Sequence, residues 1–244
     1  MTAWDYSELA CSYHARPGYA PDAIDSLVAA APAGRVCDIG AGTGHLSLAL
    51  LERGLYVDAV EPNAQMRAIG ERRTQGRAVA WHAARGESTG RGDGDYALVT
   101  FGSSFNVVDA RAALDEARRL LIPGGMLACL WNHRDLDDPL QVRVQAAIEA
   151  ELPGYEHGSR REDQTAVIAA SGHFDDIRAF SGRIVHRVAS ADWLEGWRAH
   201  ATLRREAGDR FDAALDRIAE VLRTEGDEIS VPYDTRGWLA RRVP

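Results

Sequence analysis

The stretch Val36-Cys-Asp-Ile-Gly-Ala-Gly-Thr-Gly-His-Leu-Ser-Leu-Ala-Leu50 decides the fold. It begins as an apolar run that ends in an acid, and continues with Gly40, Gly42 and Gly44 at alternate positions. After the glycines, leucines recur with helical spacing. This order predicts a buried strand, a turn where a ligand touches the backbone, and a helix whose N-terminus faces that ligand. Glycine at every second position is hard to explain by packing alone, so we interpret the turn as a binding loop.

The glycine spacing discriminates between two kinds of nucleotide loop. The dinucleotide fingerprint G-x-G-x-x-G requires a third glycine to pack helix against strand. Counted from Gly40 or from Gly42, that position holds His45 or Ser47, so the pattern argues against a nicotinamide oxidoreductase. A second apolar run ends in Glu61, 61 − 44 = 17 residues after the last glycine, where a carboxylate can accept both hydroxyls of an adenosine ribose. With no phosphate-binding lysine in the loop, the pattern favours S-adenosylmethionine (SAM) over ATP or NAD.

Composition and charge limit the classes of partner. A chain of 244 residues can bury a substantial core as one domain. Its net charge of −8 argues against nucleic acid, including RNA, as a partner, because phosphate binding needs clustered cations. The absence of a long apolar run and of a signal-peptide pattern predicts a cytoplasmic protein with no membrane partner. A homodimer is left open.

Basic and thiol side chains add two expectations. All 28 basic residues are Arg, which suggests a GC-rich bacterial genome. Cys37 and Cys129 lie in apolar runs, which predicts buried thiols in a protein of a reducing compartment. The spacing of His, Cys and acidic residues predicts no metal site. We interpret the Arg pairs as solvated faces; they are Arg72-Arg73, Arg118-Arg119, Arg160-Arg161 and Arg204-Arg205.

Strands and helices alternate from about residue 34 to residue 131, which predicts an α/β fold with a mostly parallel sheet covered by helices on both faces. Ligands of such sheets lie beyond the carboxyl ends of the strands. We predict a single domain over 1–244. Its sections are an N-terminal arm and helix as a lid (1–33), a cofactor-binding core (34–133), a helical insertion (134–172), and C-terminal strands and helices (173–244). Aromatic side chains of the arm either pack on the core or close over the ligand.

Several stretches carry a family resemblance. The glycine stretch resembles motif I of the class I SAM-dependent methyltransferases, and Val57-Asp-Ala-Val-Glu-Pro-Asn-Ala-Gln-Met66 resembles their second motif. Further stretches are similar to the small-molecule branch found in bacteria and fungi, closely over residues 10–132 and loosely beyond. They are Tyr13-x-x-Arg16-Pro17-x-Tyr19, Gly86-Glu87-Ser-Thr89-Gly90, Phe101-Gly-Ser-Ser-Phe105-Asn106-Val-Val-Asp109, Arg119-Leu-Leu-Ile-Pro-Gly-Gly125, Leu130-Trp-Asn132 and Pro232-Tyr-Asp-Thr235.

The resemblance implies a Rossmann-like sheet of seven strands with an antiparallel C-terminal edge hairpin and a helical cap. It implies SAM as cofactor and S-adenosylhomocysteine (SAH) as product. Relatives often carry His-Trp where this chain has Asn106-Val107, so a proton-transfer role is not carried over to that position. The implied cofactor-binding residues are Tyr13, Arg16, Asp38, Gly40, Ala41, Gly42, Gly44, Glu61, Pro62, Met66, Gly86, Glu87, Phe101 and Phe105.

A methyltransferase must align a nucleophile with an activated methyl group, and it needs a general base only for a weakly nucleophilic acceptor. Candidate bases are His133, His14 and His200. We expect methylation of a metabolite or natural product at O or N. The alternative is a SAM-binding protein that does not methylate, either cyclase-like or regulatory. Aromatic candidates for cation–π contact with the sulfonium are Tyr13, Phe101, Phe105 and Trp131.

Overall fold

The computed structural model describes residues 16–155, 161–198 and 200–244, and it contains a seven-stranded mixed sheet with helices on both faces. The strand order is β3-β2-β1-β4-β5-β7-β6. Strands β1 to β5 run parallel, and β7 pairs antiparallel with both β5 and β6. The predicted fold class is thus confirmed. The strands are β1 (Arg35–Ile39), β2 (Val57–Val60), β3 (Val79–His82), β4 (Tyr96–Gly102), β5 (Leu121–Arg134), β6 (Phe174–Ala189) and β7 (Glu228–Arg242).

The helices follow the sequence signals closely in the first half of the chain. Proline opens α1 and α5, and the side chains of Asn63, Asp109 and Asp138 cap α3, α4 and α5 by accepting backbone N–H groups. The helices are α1 (Pro21–Ala30), α2 (His45–Leu51), α3 (Ala64–Arg73), α4 (Ala110–Leu120), α5 (Pro139–Glu151), α6 (Thr165–Ala170), α7 (Ser190–Arg198), α8 (Ala201–Ala207) and α9 (Phe211–Leu222).

The central parallel strands β1, β2 and β4 are buried almost throughout, as expected for a sheet covered on both faces. Their register places the carboxyl ends side by side: Asp38 lies opposite Ala59 on one neighbour and Thr100 on the other. The binding loop and the end of β2 therefore open at the same edge of the sheet.

The last third of the chain differs in detail from the sequence expectation. Strands β6 and β7 are continuous over 16 and 15 residues. They form the predicted antiparallel pair at the sheet edge, but helices α7 to α9 join them in place of a turn. Gly182 lies within β6 because α1 packs there: a Cβ would come within 2.1 Å of Asp22 Oδ1.

Three hydrophobic clusters support the fold. Two of them lie against the sheet, one around Phe101, Leu127 and Trp131 and the other around Leu27, Leu50 and Leu98. The third joins α5 and α7 to α9 with the paired parts of β6 and β7; we call these four helices the cap helices. The arm before residue 16 lies outside the described residues, and the division of the chain into sections stays a prediction. No helix in the described part has the length and apolarity needed to cross a membrane.

Candidate active site

A cavity of about 1280 Å³ opens at the carboxyl ends of β1, β2, β4 and β5. Pockets for one drug-sized ligand usually measure roughly 300–1,000 Å³, so this cavity can hold a nucleoside and a second molecule together. Its described lining residues are Arg16, Pro17, Tyr19, Asp38, Gly40, Ala41, Gly42, Thr43, His45, Leu46, Glu61, Pro62, Asn63, Met66, Arg85, Gly86, Glu87, Gly102, Ser103, Ser104, Asn106, Val107, Val108, Asp109, Asn132, His133, Arg134, Arg161, Trp193, Gly196, Trp197, His200, Arg205 and Tyr233.

The three glycines of the binding loop have positive φ angles of 68°, 57° and 82°, and they serve different purposes. A Cβ on Gly40 would lie 2.5 Å from the Cβ of Ser104, and one on Gly44 would lie 3.3 Å from the Trp81 ring. A Cβ on Gly42 would meet no heavy atom of the described residues within 4 Å. Packing thus accounts for the outer two glycines, contrary to the sequence argument. Only Gly42 combines a left-handed backbone with open space at the cavity wall.

The Glu61 carboxylate fixes the loop to the end of β2. Its Oε2 accepts the backbone N–H of Gly42 at 2.9 Å, and its Oε1 accepts that of Asn63 at 2.8 Å. Burial raises the pKa of Glu61, while the two backbone hydrogen bonds oppose that rise. Each carboxylate oxygen has a second lone pair, so the group can also accept hydroxyl hydrogens of a ligand.

Asp38 connects the end of β1 to its neighbours. The side chain is fully buried, with Oδ2 accepting from Ser47 Oγ at 2.6 Å and Oδ1 from Thr100 Oγ1 at 2.9 Å. Burial raises its pKa to about 6, and the two hydroxyl donors limit that rise. The carboxyl group therefore ties the loop to α2 and β4.

The side chains of His45 and Arg73 contact Thr43 of the binding loop. His45 Nδ1 lies 3.1 Å from Thr43 Oγ1, and Arg73 donates to the Thr43 carbonyl at 2.9 Å. Burial, together with the charges of Arg73 and Arg16, lowers the pKa of His45 to about 3. The ring is thus neutral near pH 7, as a residue packed beside a cationic ligand should be.

Most residues assigned to the cofactor by resemblance lie at this cavity, and three do not. Phe101 and Phe105 are buried in a T-shaped pair with centroids 5.4 Å apart, and Gly44 packs on Trp81 outside the lining. Trp131 is also buried and donates its indole N–H to Asn106 Oδ1 at 2.9 Å. None of these three rings is among the described lining residues, and their cation–π contact with a sulfonium stays a prediction. Tyr13 and His14 lie outside the described residues.

The two described histidine candidates differ in what they can do. His133 is 7% exposed at the end of β5 and lines the cavity. His200 caps α8, with its Nδ1 accepting the backbone N–H of Leu203 at 3.2 Å. A neutral imidazole has one acceptor nitrogen, so with Nδ1 accepting, the proton of the His200 ring lies on Nε2. A role of His133 or His200 as general base stays a prediction.

Sequence reasoning missed one wall of the cavity. Trp193 and Trp197 line it from α7, with ring centroids 5.7 Å apart and planes at 87°. The Arg134 guanidinium carbon lies 3.7 Å from the centroid of the Trp197 ring. The i,i+4 spacing of the tryptophans marks a shared helix face, but only tertiary packing shows that it faces the cavity. Arg161 and Arg205, interpreted as solvated, also line this wall.

Comparisons with known proteins agree with this geometry. Residues 37–129 match the family model described as a methyltransferase domain. An uncharacterized methyltransferase of Mycobacterium tuberculosis (strain ATCC 25618 / H37Rv) is 42% identical over 120 residues, 49% of this chain and 48% of the relative. The ubiquinone/menaquinone biosynthesis C-methyltransferase UbiE of Caulobacter vibrioides (strain NA1000 / CB15N) is 28% identical over 178 residues, 67% of this chain and 70% of that protein. The chain spans about half the length of the mycobacterial relative.

Solved structures share the fold. A candidate type II methyltransferase of Anaeromyxobacter dehalogenans aligns with a TM-score of 0.65 at 20% identity, covering 94% of this chain and 99% of that one. The geranyl diphosphate C-methyltransferase of Streptomyces coelicolor A3(2) aligns with a TM-score of 0.51 at 20% identity, covering 91% and 77%. The fold is therefore one that solved methyltransferase structures share. Within it, residues 37–129 match a methyltransferase domain.

Proposed function

We propose that this protein transfers the methyl group of SAM to an O or N atom of a small-molecule metabolite or natural product. The observation that carries the proposal is Gly42, whose missing side chain leaves backbone exposed to a cavity with room for two ligands. The carboxylate of Glu61 borders the same cavity at the end of the neighbouring strand.

The residues at the cavity fit this cofactor. The backbone around Gly42 would lie against its amino-acid end, Glu61 would accept the ribose hydroxyls, and Gly86 and Glu87 would border the adenine. Arg16, Ala41, Pro62 and Met66 complete the proposed lining, and Asp38 and Gly40 hold the loop in shape. When bound, SAM supplies a methyl group already activated on a sulfonium.

The task left to the chain is alignment and exclusion of water. Holding a nucleophile in line can contribute about 7–11 kcal/mol in favourable cases. Helices α7 and α8 and the end of β5 line the cavity beyond the loop, so they would orient the acceptor. For an alcohol or phenol, His133 would accept the proton, a role worth roughly 10²–10⁴-fold in rate. His200 would serve as a hydrogen-bond donor.

A carbon acceptor is the second candidate, because the Caulobacter relative is named a C-methyltransferase. Transfer of a ¹³C-labelled methyl group separates the candidates, since methyl carbons on O, N and C have distinct NMR shifts. A SAM-binding protein that does not methylate would yield no SAH with any acceptor.

The test of the proposal is a matched pair of glycine variants. Gly42→Val places a side chain in the cavity. Gly76→Val places the same side chain in open space outside the cavity lining, at a positive φ of 76°. Both substitutions carry the same left-handed backbone strain. We expect calorimetry to show SAH binding abolished in Gly42→Val and retained in Gly76→Val, with similar losses in Tm. Equal SAH affinity in the two variants would refute the loop assignment.

A further inference from the structure

We propose that the methyl acceptor carries an anionic group, a carboxylate or a phosphate, which Arg161 and Arg205 bind beside the tryptophan wall. This inference rests on the proposed function, since it concerns the second molecule in the same cavity. Its basis is the distribution of charge around the cavity.

The acidic lining residues of the described chain lie at the strand ends, where Arg16 and Arg85 also line the cavity. Asp38 lies at the end of β1 and Glu61 follows β2, while Glu87 and Asp109 follow β3 and β4 and are joined by a hydrogen bond from Asp109 N to Glu87 Oε1 at 3.0 Å. We call this the cofactor side. A carboxylate near a ribose and a sulfonium suits the neutral and cationic parts of SAM.

The opposite side is formed by the end of β5, the segment before α6, and α7 with α8; we call it the acceptor side. Arg134, Arg161 and Arg205 line it, and the described lining residues of this side include no Asp or Glu. Arg161 donates to the Arg134 carbonyl at 2.7 Å, so two of the three arginines are adjacent in space. Arg205 has one weak ion pair at 3.5 Å with its exposed neighbour Glu206, and 63% of its side chain is exposed.

This placement is unexpected for a chain with a net charge of −8. Three cations at one wall raise the local concentration of an anionic ligand and bind its oxygens with charge-assisted hydrogen bonds. Arg134 stacks on Trp197, which holds its guanidinium at the wall, and the largely buried Trp193 ring gives the same wall an apolar edge. The chemistry thus favours an acceptor with a flat or apolar part and an anionic group.

The experiment uses three probes of similar shape: benzoate, phenyl phosphate and neutral benzamide. Each is titrated by calorimetry into the full chain saturated with SAH, after the SAH titration itself has been recorded. We expect at least one anion to bind at least tenfold more tightly than benzamide, and the preferred anion tells carboxylate from phosphate.

Variants locate the effect. Arg161→Gln with Arg205→Gln should weaken the preferred anion at least tenfold and leave benzamide and SAH affinities unchanged. The matched control, Arg217→Gln with Arg223→Gln, removes the same charge from exposed side chains of α9 and its C-terminus, outside the cavity lining. It should bind the anion as the parent chain does. Arg161→Lys with Arg205→Lys should restore part of the affinity, because it restores charge without the fork geometry.

The outcomes separate the two proposals. If the SAH titration of the parent chain shows no binding, that result would count against the proposed function. Normal SAH binding with equal probe affinities, or with neither anion bound, would overturn the anionic acceptor alone. An anion preference that survives the Arg161 and Arg205 variants would also overturn it.

Discussion

The two sides of the cavity are built in different ways. The cofactor side consists of strand ends and loop backbone, held by short hydrogen bonds between neighbouring elements such as those of Asp38 and Glu61. The acceptor side consists mainly of long side chains on cap helices, whose hydrophobic cluster is separate from the two clusters against the sheet. A common cofactor can therefore be bound by fixed backbone while side chains on the cap change with the acceptor. The predictions below probe each side of this comparison.

The largest expected effect concerns Asp38 and pH. Its pKa in the folded protein is about 6, above the ordinary value of 3.8, so the folded chain holds this proton more firmly than the unfolded chain does. Stability should therefore fall as pH rises from about 4 to about 6, and it should stay lower above that window. Asp38→Asn removes this titration. We expect the free energy of unfolding of the variant, relative to the parent, to rise by up to about 3 kcal/mol between pH 4 and pH 8.

Urea unfolding at several pH values measures this difference. An offset between variant and parent that does not change with pH would contradict the raised pKa of Asp38. Such a result would mean that the hydrogen bonds from Ser47 and Thr100 offset the cost of burying the charge in full.

The backbone of the cofactor side could be predicted from sequence because local residue types determine it. Glycines with positive φ and an acid at a strand end each leave a short-range signature, and Gly42 and Glu61 meet at the cavity as those signatures indicate. The sequence could not predict which of Gly40, Gly42 and Gly44 is required by packing, because that depends on Ser104 and Trp81 from distant segments.

The acceptor side could not be predicted for a related reason. Its cationic wall joins Arg134, Arg161 and Arg205 from three separate elements, and no short pattern reports that they meet. Phe101 and Phe105 show the same dependence on packing: their motif position suggested ligand contact, and the structure buries both rings in the core outside the described cavity lining. Local pattern fixes where a residue lies along a strand, and packing decides which way its side chain points.

A second prediction tests the carboxylate at the end of β2. Glu61→Ala removes an acceptor for the ligand and also frees the N–H groups of Gly42 and Asn63. We expect SAH affinity to fall by about 1.5–3 kcal/mol, roughly 10- to 150-fold, since charge-assisted hydrogen bonds are worth that much. Calorimetry measures the loss, and Glu52→Ala, an exposed acid at the end of α2, is the control. An affinity within error of the parent would mean that the carboxylate serves the loop alone.

The smallest expected effect concerns His200 on the acceptor side. If its Nδ1 acts as the cap of α8, His200→Ala should lower the free energy of unfolding by about 0.5–2 kcal/mol, the usual cost of losing a side-chain N-cap. His200→Asn should recover most of that loss, because asparagine is a favoured cap whose side-chain oxygen can accept the Leu203 N–H. SAH affinity should remain unchanged in both variants, because the ring lies on the opposite side from the loop. A free energy of unfolding of His200→Ala equal to that of the parent would show that Nδ1 does not cap α8. His200 would then be a candidate for the general base together with His133.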